Sequence, residues 1–160
     1  MQGFFAAGRK LESGGEMSKR FPGAGRACGR GRFGKSASLT MSLPANLVTI
    51  HPYFKSHPGK GEQVDCLLKK FVAQTRGEPL CQFYEFTTLD DQVFCREGYA
   101  GAAAVLLHLE NVGAILGEML TISDLTRLEF HGPAEEIDQL RGPLGHLNPA
   151  WFVLHSGLER

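Results

Sequence analysis

Residues 81–111 read CQFYEFTTLDDQVFCREGYAGAAAVLLHLEN. Two runs rich in aromatic and β-branched residues, 81–87 and 92–98, are joined through Leu89, Asp90 and Asp91, which predicts a β-hairpin. From Ala100 the apolar pattern becomes helical and continues through Leu106 and Leu109. Gly113 predicts a break or kink, after which Val112, Ile115, Leu116, Met119 and Leu120 repeat the core-facing spacing. Seven polar side chains, Tyr84, Glu85, Arg96, Glu97, Tyr99, His108 and Asn111, interrupt this apolar hairpin and helix. Tyr99 and His108 stand nine positions apart across a strand-to-helix junction, where side chains of two elements can face one cavity.

Upstream, residues 47–54 suggest a first strand, in which Pro52 cannot donate to a ladder and predicts a bulge or an early end. Gly59 and Gly61 form a turn. Over 62–75, Val64, Leu67, Leu68, Phe71 and Val72 follow the i, i+3, i+4, i+7, i+8 pattern of an amphipathic helix, with Lys69, Lys70 and Gln74 opposite. Gly77 and Pro79 stop it. Downstream, residues 125–131 alternate Thr126, Leu128 and Phe130 against Arg127, Glu129 and His131, as a strand does. Pro133 suits the first turn of a short helix through Leu140, and residues 151–154 form a last apolar, strand-like segment.

The order βαββαβ predicts an α+β, ferredoxin-like antiparallel sheet with both helices on one face, followed by a C-terminal helix and strand extension over 133–160. Large apolar side chains occupy both alternating sets of the strands, Phe83 against Tyr84 and Phe86, and Phe94 against Val93. A sheet apolar on both faces needs cover on the second, most simply from another copy in a homodimer.

Composition divides the chain. Residues 1–42 hold eight basic side chains and two acidic ones, a surplus of six that the rest of the chain offsets to a net charge of zero. This Gly- and Arg-rich segment has no apolar period and reads as a disordered tail or a targeting segment. The domain proper is expected over 45–132. Translation from Met41 would remove the tail and give a cytoplasmic protein; residues 1–40 as a transit peptide would direct it to a plastid or mitochondrion, although Glu12 and Glu16 are atypical there. Residues Gly29 to Ser36 match G-x-x-x-x-G-K-S, but no strand precedes them and no amphipathic helix follows, so nucleotide binding is rejected. The charge surplus is confined to the tail, and nucleic acid is not an expected partner of the body. No apolar run approaches the roughly 18 to 20 residues that span a bilayer, so no membrane is expected. Cys28, Cys66, Cys81 and Cys95 lack metal-ligand spacing and read as reduced packing residues, with no metal site predicted.

Further features belong together: a first strand leading into Pro58-Gly59-Lys60 and a long helix, Glu78-Pro79-Leu80-Cys81, the Tyr84-Glu85 strand, Glu97-Gly98-Tyr99, and Leu107-His108-Leu109. Over residues 47–131 this pattern resembles the antibiotic biosynthesis monooxygenase domain. That resemblance implies a small ferredoxin-like protein forming a dimeric α+β barrel, often active without metal or flavin. Two positions depart from the family pattern: Tyr99 stands where many members have Trp, and Leu80 where many have Gly. Haem-degrading relatives use an Asn on the first strand, and none follows Asn46 here.

The resemblance implies cofactor-free oxidation by O₂ of an electron-rich small aromatic or quinol, whose anion passes an electron to O₂. An imidazole takes the proton, with His108 or His51 as candidates. Tyr99, Arg96 or Asn111 would hydrogen-bond the resulting phenolate, and Tyr84, Phe83, Phe94 and Leu106 would complete the substrate pocket. The rival expectation is a non-catalytic dimeric module that binds a hydrophobic small molecule or a partner protein.

Overall fold

The structure, a computed structural model, describes residues 42–158. The readings made for residues 1–41, including the Met41 start and the Gly29 to Ser36 match, lie outside it. The order is β1 (Leu47–Ser56), α1 (Gly61–Thr75), β2 (Cys81–Leu89), β3 (Gln92–Ala100), α2 (Ala102–Leu120), β4 (Ser123–Gly132), α3 (Ala134–Leu144), a 3-10 turn and β5 (Ala150–Val153). The five strands lie in the order β2-β3-β1-β4-β5. The first four pair antiparallel, and β5 runs parallel to β4. The expected antiparallel sheet is therefore mixed at one edge, because α3 supplies the crossover that a parallel neighbour requires. The C-terminal strand adds to the β4 edge of the same chain's sheet.

Alternation along the strands sorts the side chains. Val48, Ile50 and Phe54 of β1, Val93, Cys95 and Tyr99 of β3, and Phe130 of β4 are buried beneath the helices. Their alternates, including His51, Tyr53, Phe94 and His131, form an aromatic cluster on the opposite face, where His51 stacks on Phe94 and meets His131 edge-on. Pro52 lies in the central strand without ending it. The ladder to β3 lapses between the Ile50–Glu97 and Tyr53–Phe94 pairs, and the register to β4 slips between Tyr53 and Phe54.

Two helices differ from expectation. α2 is continuous through Gly113. That glycine lies on the exposed side, where an added Cβ would meet nothing, so it lowers helix propensity without kinking the axis. α2 also proves long and apolar enough, over 19 residues, to cross a membrane by length and composition. Here it lies along the sheet and buries Ala104, Val105, His108, Val112 and Met119. α3 continues past Leu140 to Leu144 with Pro143 in its last turn. Burial of Ile137, Leu140 and Leu144 offsets the backbone hydrogen bond that Pro143 cannot make.

The start of α2 is fixed from a distance. Gly101 adopts φ +91°, and its neighbour Ala102 donates its backbone N–H to the Glu136 carboxylate of α3 at 2.7 Å. The anion sits where unpaired N–H groups and the helix dipole favour it. This contact sets the point from which α2 delivers His108 to the sheet.

Candidate active site

On β3, the two-residue period carries Glu97 and Tyr99 to the helix-covered face. α2 lays His108 against them, with its ring centroid 4.7 Å from that of Tyr99 and 5.4 Å from that of Tyr84. The Tyr99 hydroxyl donates to Glu97 Oε2 at 2.5 Å, and His108 Nε2 lies 3.1 Å from the same oxygen. The other ring nitrogen, Nδ1, lies 3.0 Å from both carboxylate oxygens of Glu78, in the turn between α1 and β2. Asn111 Nδ2 donates to Glu78 Oε1 at 2.6 Å, and Gln74 Nε2 donates to Asn111 Oδ1 at 2.8 Å. The side chains of His108 and Glu97 are 2% and 5% exposed, whereas that of Glu78 is 16% exposed. Of the two carboxylates that flank His108, Glu78 is therefore the one in contact with solvent.

Both nitrogens of one imidazole face carboxylates, an arrangement suited to a doubly protonated ring. Burial alone would lower the His108 pKa, but hydrogen bonds and charge from Glu97 and then Glu78 outweigh it and raise the pKa above its ordinary value. Burial first, and then the Glu97 charge, push the Tyr99 and Tyr84 phenols upward, so both remain neutral donors. Burial pushes the Cys81 thiol up to about 11, and a thiol in that state is a poor nucleophile.

Glu97 and His108 also border a cavity of about 100 Å³ between the sheet and the helices. Its other walls include Ile50, Phe54, Tyr84, Leu109 and Val112, so the carboxylate and imidazole face a largely apolar space. A separate outer cleft of about 370 Å³ is lined by Glu78, Leu80, Leu107 and Asn111, among others. His108 lines the inner cavity and links the two spaces through its partners, Nε2 meeting Glu97 of the cavity wall and Nδ1 meeting Glu78 of the outer cleft. A carboxylate in a dry cavity can accept a proton, and a neighbouring imidazolium can hold an anion. Among the described residues, no three His, Cys, Asp or Glu side chains group in a way that could hold a metal ion.

The structure brings Tyr99, His108 and Tyr84 together. Asn111 joins them through Glu78, and Asn111 and Tyr99 both border the outer cleft rather than the apolar cavity, which Tyr84 and His108 line. Leu106 packs against the neighbouring cluster of Val48, Val105 and Phe130. His51, Arg96, Phe83 and Phe94 lie on the opposite face of the sheet. There, His51 Nε2 lies 2.8 Å from the Thr49 hydroxyl, and Arg96 pairs with Glu85 at 2.6 Å while covering the Phe83 ring. Burial and the His131 charge lower the His51 pKa, with Glu129 opposing them. Sequence reasoning missed the two carboxylates as site residues. Glu97 was detectable because it shares the parity of Tyr99 on one strand, whereas Glu78 reaches His108 only through the tertiary fold.

No family model matches the chain, and no curated protein does. Among solved structures, MupZ from Pseudomonas fluorescens is 34% identical with a TM-score of 0.69, the likeness covering 72% of this chain and 95% of MupZ. Rv0793 from Mycobacterium tuberculosis is 20% identical with a TM-score of 0.49, covering 54% of this chain and 94% of the other. An antibiotic biosynthesis monooxygenase structure is 18% identical with a TM-score of 0.47, covering 52% of this chain and 92% of the other. The identity to MupZ over nearly its whole length, with Glu78-Pro79, Glu97-Gly98-Tyr99 and His108 set on a ferredoxin-like frame, settles the kinship: the chain belongs to the antibiotic biosynthesis monooxygenase domain family.

Proposed function

We propose that the protein is a cofactor-independent monooxygenase that oxidises a small aromatic or quinol-type substrate with O₂, acting as a homodimer. The observation that supports this reading is the placement of Glu97 and His108 together on the wall of an otherwise apolar cavity. Glu97 takes the proton of the bound substrate, and the His108 imidazolium holds the resulting anion and the reduced oxygen species that follows. The imidazole, already carrying both protons, supplies charge rather than basicity. For a substrate methylene oxidised to a carbonyl, the carbon supplies all four electrons that reduce O₂. One oxygen atom enters the product, and the other leaves as water with the two displaced hydrogens.

A cavity of about 100 Å³ is smaller than the roughly 150 Å³ that holds benzene, so a ring fits once a wall side chain moves outward. The homodimer reading draws on the aromatic cluster of Tyr53, Phe94 and Phe152 on the uncovered sheet face. Oxygen uptake with a panel of reduced quinols and phenols tests the activity, with His108→Ala and Tyr99→Phe as comparison variants. The expected result is uptake by the wild type that falls about 10²- to 10⁴-fold in His108→Ala. Uptake unchanged in both variants removes these residues from the mechanism, and none with any substrate favours the binding-module alternative.

A further inference from the structure

The Glu78 carboxylate lies in the outer cleft yet touches the buried imidazole. The His108 ring packs in tilted contact with Tyr99 and Tyr84, aromatic surfaces that offer little preference between the two flipped orientations of an imidazole. The hydrogen bonds at the ring edges must therefore choose the orientation. Nδ1 meets both oxygens of Glu78 at the same 3.0 Å, and the carboxylate is itself braced by Asn111 and, through it, by Gln74 of α1.

We propose that Glu78 is a positioning residue: it keeps a proton on His108 Nδ1 from the outer cleft and so holds Nε2 toward Glu97 and the cavity. A carboxylate behind an imidazole fixes tautomer and ring direction in this way without touching the reacting atoms. This assignment rests on the monooxygenase reading for its catalytic meaning, but not for its geometry. The titratable groups facing His108 are Glu78 from the α1–β2 turn, Glu97 and Tyr99 from β3, and Tyr84 from β2. Among the described residues neither carboxylate is paired with a lysine or arginine, so the imidazole is their shared cationic partner.

The test follows the two His108 ring nitrogens by ¹⁵N NMR of histidine-labelled protein, without substrate, through the range in which imidazole titrates. It compares the wild type with Glu78→Gln and Glu78→Asp. In Glu78→Gln the His108 midpoint is expected to fall by about one to three pH units, with both neutral tautomers populated above it. Glu78→Asp keeps the charge on a shorter arm and is expected to retain most of the midpoint while weakening the Nδ1 hydrogen-bond signature. An unchanged midpoint and tautomer in folded Glu78→Gln overturn the proposal. Should that variant not fold, unchanged Nδ1 shifts in Glu78→Asp do so.

With turnover in hand, the alkaline limb of kcat moves down with the NMR midpoint in Glu78→Gln while KM changes little, and Glu78→Asp restores the limb. Loss of activity equal at all pH values, with the NMR midpoint unmoved, marks a merely structural carboxylate and overturns the proposal. The titration needs no substrate. A wild type that consumes no oxygen therefore contradicts the monooxygenase reading while the role of Glu78 is still decided by the spectra.

Discussion

Replacing Glu97 by glutamine should change stability in a direction that depends on pH. In the wild type, the Glu97 carboxylate accepts the Tyr99 hydroxyl and pairs with buried His108. An amide oxygen in the place of Oε2 still accepts from the Tyr99 hydroxyl and from Nε2–H at neutral strength, but the ion pair is lost. The tyrosine bond weakens by about 1 kcal/mol and the lost pair costs more, offset by relief from burying a carboxylate. The net expectation is a loss of about 1–3 kcal/mol while His108 is charged, or roughly 3–10 °C in Tm for a domain of this size. A histidine whose folded pKa is raised contributes stability fully present below its unfolded value of about 6.5, and that contribution is lost as pH rises through the folded pKa. Above that point the wild type keeps a buried carboxylate with no cation, so the Glu97→Gln deficit should vanish or reverse. Urea denaturation of both proteins below and above the His108 titration measures this. A deficit of the same size on both sides refutes the ion-pair account, and no deficit at the lower pH refutes the assigned contacts.

The entry to α2 provides a second set of expectations. Gly101→Ala places a Cβ 2.7 Å from Asn46 Nδ2 at φ +91°, a strain of about 1–3 kcal/mol. Glu136→Ala removes the carboxylate at the Ala102 N–H and should cost about 1 kcal/mol. Thermal denaturation of each variant checks both values, with an unchanged Tm counting against the contact. The mass by light scattering at micromolar concentration is expected to be that of two chains, and a monomer would contradict the homodimer.

The frame was legible wherever a period and a turn coincide. The spacing from Val64 to Val72 marks α1, and the run through Asp90 and Asp91 marks the hairpin, whose turn contains Asp90 at φ +52°. Burial decided what periodicity left open. Both faces of β1 and β3 carry aromatic or aliphatic residues, so the pattern alone does not say which face the helices cover. Composition alone therefore groups His51, Phe94 and Arg96 with Tyr99. Strand parity already separated Phe94 and Arg96 from Tyr99, and the same parity placed Glu97 beside it. The pattern places the end of α3 at Leu140 and a break at Gly113, because the burial of Leu144, and the open space around Gly113, become visible only in three dimensions.

Incubation with ¹⁸O₂ of the quinol or phenol that supports oxygen uptake tests the central claim most directly. The reading predicts one ¹⁸O atom per product molecule and a second in water, with product formation falling at least about 10²-fold in Glu97→Gln. Product that carries no ¹⁸O, or that forms at the wild-type rate without the Glu97 carboxylate, would contradict it.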